Sequence, residues 1–253
     1  MLSDFVRRLW NTVGIYKAKH PLITGMWFVG GKLFSARQPT EEERFLVGME
    51  CEGKVVYDIG ANVGLMTLFF ARAVGPTGYV VAFEPHPYSF RRLSRNVRVN
   101  RLRHVRLVNV GVGDETTSLI LYQPSRHLSG AAFSGGRVFR PDEGQPIEFT
   151  VHVDTLDNLI KRFELPTPDY VKVDVEGYEV RVLRGAMQTI QQHKPAFFIE
   201  IHRLAGDMPT TGKVIEILDA YGYTFYHVVS GVHIGIDTCQ DVRGGHLYCM
   251  HQR

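Results

Sequence analysis

Residues 55–64, Val-Val-Tyr-Asp-Ile-Gly-Ala-Asn-Val-Gly, decide the fold. The apolar run Val55-Val56-Tyr57 meets an acid, Asp58, and then a turn containing Gly60, Ala61, Asn62 and Gly64. Residues 65–74, rich in Leu, Phe and Ala, follow with helical spacing. The pattern reads as buried strand, tight turn and helix. Gly60 lets the chain turn sharply with no Cβ to clash with a ligand. Gly64 lets the helix start close to the strand, and Asn62 reads as a helix cap.

The same rhythm continues outward. Residues 79–84, 105–112, 170–175, 196–201, 223–229 and 246–251 read as further strands, and 88–100, 179–190 and 212–221 as helices. Strands rich in Val, Ile and Phe that alternate with helices predict an α/β fold of Rossmann-like type. Its mostly parallel, seven-stranded sheet would carry helices on both faces. Residues 41–253 would form this domain. Residues 117–153 interrupt it with two extra strands, 118–122 and 147–153, around a polar stretch containing Ser129-Gly130, Ser134-Gly135-Gly136 and Pro141. An insert of this length reads either as a substrate lid or as a surface excursion. Residues 1–40 read as an N-terminal helical extension. Phe5, Val6, Leu9, Trp10, Val13 and Ile15 lie among Arg7, Arg8, Lys17 and Lys19, as in a basic amphipathic helix over residues 1–20. Such a helix packs on its own domain, or docks to a membrane surface or a partner.

Composition narrows the class. The chain has 253 residues, 44% hydrophobic and 22% charged, enough for a sizeable core. A net charge of +3 does not announce a nucleic-acid binder. Arg91, Arg95 and Arg98 share one helical face, without the interleaved aromatics that single-stranded nucleic acid favours. Cys51, Cys239 and Cys249 lack metal or redox spacing, and their odd number argues against a full disulfide framework. A cytoplasmic, reducing setting is the expectation. The first residues, with Asp4 and Arg7-Arg8, do not form a secretory signal, and no apolar run is long enough for a membrane span. Nothing in the pattern speaks to oligomeric state.

Ligands of such sheets sit beyond the carboxyl ends of the strands, at the point where strand order reverses. The glycine loop is not G-x-G-x-x-G, the pyrophosphate cradle of dinucleotide folds. Asp58 at its head suits an ammonium or sulfonium better than an anion, which favours S-adenosylmethionine over a dinucleotide. Glu84, at the end of the next strand, could take the ribose hydroxyls, and Asp114, after Gly111-Val-Gly113, could bond the adenine amine.

Lys172, Asp174 and Glu176 alternate along one strand and would line one side of its end. Glu200 and His202 stand two apart on the next strand, so neighbouring strand ends would gather Asp174, Glu176, Glu200 and His202. Lys172 could simply pair with Asp174 or Glu176. Methyl transfer to a hydroxyl needs in-line placement and loss of a proton. Asp174, Glu176, Glu200 or His202 could serve as base. Alternatively Asp174, Glu176 and Glu200, as oxygen ligands, could hold Mg²⁺ or Mn²⁺ that acidifies the hydroxyl. The residues leave this choice open, and no metal ligand is certain.

Taken together, Val56–Gly64, Ala82-Phe-Glu-Pro-His-Pro87 with Leu93, Asn96 and Asn100, Thr155-Leu-Asp-Asn-Leu159, and Lys172-Val-Asp-Val-Glu-Gly-Tyr-Glu179 resemble the FkbM family of S-adenosylmethionine-dependent methyltransferases. The resemblance covers roughly residues 54–203. It implies a class I methyltransferase fold, a cofactor loop shaped by Asp58, Gly60, Asn62 and Gly64, and Glu84 on the ribose. It also implies O-methylation of sugars, polyketides or related small molecules. Two rivals remain. A nicotinamide oxidoreductase would want G-x-G-x-x-G or Tyr-x-x-x-Lys, and neither occurs. A non-catalytic binding module on the same fold would have no use for the acids at 174, 176 and 200.

Overall fold

The computed structural model describes residues 14–29, 38–124, 132–133, 146–202, 210–242 and 244–251. In chain order the strands are β1 (Ile15–Lys17), β2 (Trp27–Val29), β3 (Val55–Ile59), β4 (Tyr79–Phe83), β5 (Val105–Val108), β6 (Gly111–Gly113), β7 (Thr117–Pro124), β8 (Ala132–Phe133), β9 (Pro146–Thr155), β10 (Tyr170–Val173), β11 (Ala196–Ile201), β12 (Tyr223–His227), β13 (Val232–Ile234) and β14 (Gly245–His251). The helices are α1 (Glu41–Val47), α2 (Leu65–Val74), α3 (Pro87–Val99), α4 (Leu156–Phe163), α5 (Glu179–Arg184), α6 (Met187–His193) and α7 (Thr210–Asp219).

The main sheet has the order β13-β12-β14-β11-β10-β3-β4-β5. Pairings from β11 through β5 are parallel, whereas β14 runs antiparallel to both β11 and β12. The class I methyltransferase fold is therefore present, with eight strands where seven are predicted. The extra strand, β13, returns from β12 through a turn at Gly231, whose φ of +69° suits a residue without a side chain. The run at 105–112 also splits. Asn109 donates its side-chain amide to the carbonyls of Glu84 and Pro85, which ends β5. The chain then enters a second, four-stranded sheet, β6-β9-β7-β8. The two strands foreseen in the insert are the long hairpin β7–β9 of that sheet. The polar stretch between them lies mostly outside the described residues.

Alternation along the strands makes two cores. On one face Tyr57, Ile59, Val81, Phe83, Val171 and Val173 pack with α4, α5, α6 and α7. On the other, Val56, Val80 and Phe198 pack with Leu68 and Phe70 of α2 and with Leu22, Ile23 and Phe28 from the N-terminal segment. That segment corrects one expectation. Residues 1–13 lie outside the described residues, but 15–17 form a strand paired to 27–29, with a 3₁₀ turn at Pro21–Ile23 between them. Pro21 cannot sit inside a helix, and the β-branched Ile15 suits a strand. Asn100 holds both backbone groups of Trp27, and Asn96 accepts the Val29 N–H, so this hairpin is fastened to α3. No helix among the described residues is long and apolar enough to cross a membrane.

Candidate active site

The chain runs from β3 to β4 to β5 in one direction, then returns to place β10 on the other side of β3. The order reverses between β3 and β10, and the site lies at their carboxyl ends, as expected for a doubly wound sheet.

After β3, the N–H groups of Gly60 and Ala61 both donate to the Phe83 carbonyl at 3.0 Å. Gly60 has φ +78°, and a Cβ there would overlap the Asp174 carbonyl oxygen. The approach of the β10 end thus requires a glycine here. Gly64 has φ +93°, and a Cβ would stand 2.6 Å from Leu93 of α3. Asn62 is not a cap. Gly64 occupies the N-cap of α2, while Asn62, at φ +49°, donates its N–H to Glu84 and accepts from the Ser89 hydroxyl.

Asp58 departs further from expectation. It is fully buried and turned away from the pocket. Thr67 donates to its Oδ2 at 2.6 Å, and Lys172 Nζ stands 3.3 Å from its Oδ1. The same ammonium lies 3.2 Å from Asp174 Oδ2. Burial alone would lower the Lys172 pKa, but Asp174 and Asp58 hold it above the ordinary lysine value. Lys172 therefore bridges the Asp58 and Asp174 carboxylates, and Asp58 is not part of the pocket lining.

A pocket opens beside the loop. Ile59, Phe83, Val110, Val112 and Leu121 give it apolar walls, and Asn62, Glu84, His86, Ser89 and Gln123 line it with polar groups. Asp174 and Glu176 close its other end. Among the described residues that line it there are three carboxylates and no Lys or Arg. That balance suits a cationic nucleoside better than a pyrophosphate, and the acids in the lining are Glu84, Asp174 and Glu176, not the expected Asp58. Glu84 is well placed for ribose. Its Oε2 takes the Asn62 N–H at 2.7 Å and its Oε1 the His86 N–H at 2.8 Å, and each oxygen keeps a further acceptor position. Burial, only partly offset by those bonds, pushes its carboxyl up to about 7. Asp114 lies apart from the pocket lining and pairs with Arg181 at 3.1 Å.

Asp174 also belongs to a second group. Donor atoms of Asp174, Glu200 and His202 all lie within 4.8 Å of one another. The set is not the oxygen-only trio read from sequence, because His202 takes the place of Glu176. Glu176 is exposed on the turn, at φ +51°, with its Oε2 3.7 Å from His202 Nε2. The carboxyls of Asp174 and Glu200 stand close together, so their charges are felt mutually. Burial works to raise Asp174, but Lys172 and His202 overcome it and hold it below the usual carboxylate range. Burial and the charge of Asp174 push Glu200 up to about 7. Burial would lower His202, yet the hydrogen bond and charge of Glu179, with Glu200 and Glu176, hold it at about 9.

Three residues that pattern alone did not single out complete the group. Glu179, fully buried, accepts from His202 Nδ1 at 2.8 Å. His246 of β14 places Nε2 3.7 Å from Glu200 Oε2, and its Nδ1 is 2.6 Å from Glu42 of α1. Glu179 was visible as the last residue of the Lys172–Glu179 motif. Glu42 and His246 carried no signal, because they meet across 204 positions of chain.

Residues 58–225 match the methyltransferase FkbM domain family. The chain is 29% identical over 200 residues to the 31-O-demethyl-FK506 methyltransferase FkbM of Streptomyces tacrolimicus, covering 68% of this chain and 73% of that protein. It is 30% identical over 164 residues to the hexuronic acid methyltransferase AglP of Haloferax volcanii, covering 63% and 60%. It is also 28% identical over 174 residues to methyltransferase 1 of Beauveria bassiana, covering 64% and 70%. Among solved structures, the methyltransferase FkbM of Methylobacillus flagellatus superimposes with a TM-score of 0.50 at 19% identity, covering 78% of this chain. The match spans 43% of that longer chain, and at this identity the likeness concerns the fold.

Proposed function

Because this chain belongs to the methyltransferase FkbM domain family and is an S-adenosylmethionine-dependent methyltransferase, we propose that it transfers the methyl group to a hydroxyl oxygen of a sugar or other small hydroxylated molecule. The observation that carries this reading is the double membership of Asp174. It lines the nucleoside pocket and also stands within the Glu200–His202 group, so a proton-accepting cluster adjoins the pocket. The names of two relatives point the same way, one a 31-O methyltransferase and the other acting on a hexuronic acid.

S-Adenosylmethionine supplies a methyl group activated by a sulfonium. Glu84 would hold its ribose, Ile59, Val110, Val112 and Leu121 would flank the adenine, and the carboxylates of Asp174 and Glu176 would face its cationic end. Asp58 supports this indirectly, by fixing Lys172 and with it Asp174. The acceptor hydroxyl would sit against Asp174, where orientation contributes much of the acceleration. Its proton would pass to the Asp174–Glu200 pair, with Glu200 poised near neutrality as a base should be. Leu121 and Gln123 of β7 already form part of the pocket wall, which supports a substrate-contacting role for the 117–153 insert.

The test pairs binding with turnover. The chain is expected to bind S-adenosylmethionine in calorimetry and to ignore NAD. With labelled cofactor and a panel of hydroxylated acceptors, Asp174→Ala is expected to bind cofactor yet transfer methyl at least a hundredfold more slowly, within the usual range for a lost base. Stabilisation by NAD alone, or normal transfer by the variant, overturns the reading.

A further inference from the structure

We propose that Asp174, Glu200 and His202 bind one divalent first-row transition-metal ion beside the methyl-transfer pocket, with His246 supporting the centre through Glu200. The argument begins with spacing. His202 Nε2 lies 3.9 Å from Asp174 Oδ1 and 3.6 Å from Glu200 Oε1, and His246 Nε2 lies 3.7 Å from Glu200 Oε2. These separations are too long for hydrogen bonds. They fall within the range of roughly 3 to 4 Å between two ligands that share an ion at about 2.1 Å.

Orientation is the second, independent observation. Each imidazole is fixed through Nδ1 by a carboxylate, His202 by Glu179 at 2.8 Å and His246 by Glu42 at 2.6 Å. Phe198 stacks on His246 at 4.5 Å between centroids and sets its plane. Fixed through Nδ1, His202 aims its Nε2 at Asp174 and Glu200, and His246 aims its Nε2 at Glu200. A carboxylate behind each ligating histidine is also the arrangement that orients imidazoles at metal centres and raises their basicity.

The donor chemistry selects the ion. Mg²⁺ prefers oxygen and retained water, whereas an imidazole with two carboxylates suits Mn²⁺, Fe²⁺, Co²⁺ or Zn²⁺. Asp174 connects this centre to the pocket, so an ion here would act on the acceptor hydroxyl as a Lewis acid. That catalytic meaning rests on the methyl-transfer reading; the binding of the ion does not.

The full chain, stripped with chelator, is titrated with Mn²⁺ while the resonance of free Mn²⁺ is followed by electron paramagnetic resonance. One ion per chain is expected. His202→Ala and His246→Ala should each weaken binding by at least tenfold, and Glu42→Gln by about tenfold through loss of orientation. His246→Gln, which preserves bulk against Phe198, repeats the test where the alanine variant is poorly folded. Mg²⁺ should compete weakly. Absence of saturable binding, binding that survives both histidine variants, or equal competition by Mg²⁺ overturns the proposal. An ion bound without any methyl transfer would leave the centre standing and remove the methyl-transfer reading. Transfer that persists in chelator without bound ion would leave the methyl-transfer reading standing and remove the ion's catalytic role.

Discussion

Glu84 carries two opposed demands. Its backbone partners and a ribose would both donate to a charged carboxylate, while burial favours the neutral acid and pushes the group up to about 7. The sign follows from which state holds the proton. Folding raises this pKa, so its contribution to stability is complete below the ordinary glutamate value and is lost as pH climbs through 7. Cofactor binding runs the other way, because ribose hydroxyls favour the ionised form. Affinity for S-adenosylmethionine should therefore tighten between about pH 6 and pH 8, with proton release visible in buffers of different ionisation enthalpy. Glu84→Gln, which leaves one backbone N–H facing an amide, should lose about tenfold or more. A pH-independent affinity, or an unaltered variant, would remove Glu84 from the cofactor site. At this scale the sequence was partly legible. Strand-end acids at 84, 174 and 200 could be found from alternation. What alternation could not reveal is that Lys172 would bridge Asp58 and Asp174, since pairing between β3 and β10 depends on sheet order. Gly60 was recognised as special, but the atom that demands it, the Asp174 carbonyl oxygen, lies 114 residues downstream in the sequence.

Helices, turns and strands show a similar division. The strand–turn–helix at 55–74 and the strands at 79, 170 and 196 follow directly from buried apolar runs. The residues quoted for the family resemblance turn out to do much structural work. Thr155 caps α4, and Asp157 accepts the N–H groups of Gln188 and Thr189 at the start of α6. Asn96 of α3 ties three elements at once. It accepts the Val29 N–H at 2.6 Å and donates to the Val63 carbonyl at 2.7 Å, joining β2 and the cofactor loop to its own helix. Asn96→Ala would leave a buried donor and a buried acceptor unpaired, at about 2–4 kcal/mol. The expected outcome is a matching fall in urea stability and faster amide exchange across residues 27–29. An unchanged denaturation midpoint would mean that water or the backbone replaces both bonds. Sequence pattern failed where an element depends on a distant partner. Residues 15–17 and 27–29 are too short to announce themselves; they pair with each other, and 27–29 is fastened to α3.

For the molecule as a whole, the decisive strand is the last. β14 lies between β11 and β12, antiparallel to both, and it lies beyond the 58–225 span that matches the family. Leu247 and Cys249 on it are fully buried in the larger core. It also brings His246 to Glu200, where Glu42 from the other end of the chain holds the ring. The site is thus assembled from residues at both ends of the described structure around a central parallel sheet. A chain limited to residues 54–228 keeps β3, β4, β5, β10, β11 and β12, and with them Glu84, Asp174, Glu200 and His202. It nevertheless lacks the only strand that joins β12 to β11 in the described sheet, and with β13 also gone it leaves both edges of β12 and one edge of β11 unpaired. Such a chain should retain much of its helical circular dichroism but bind hydrophobic dyes and lose a cooperative thermal transition, the behaviour of a compact state without fixed packing. A sharp transition close to that of the full chain would show instead that the parallel half of the sheet folds alone and that β14 serves the site more than the fold.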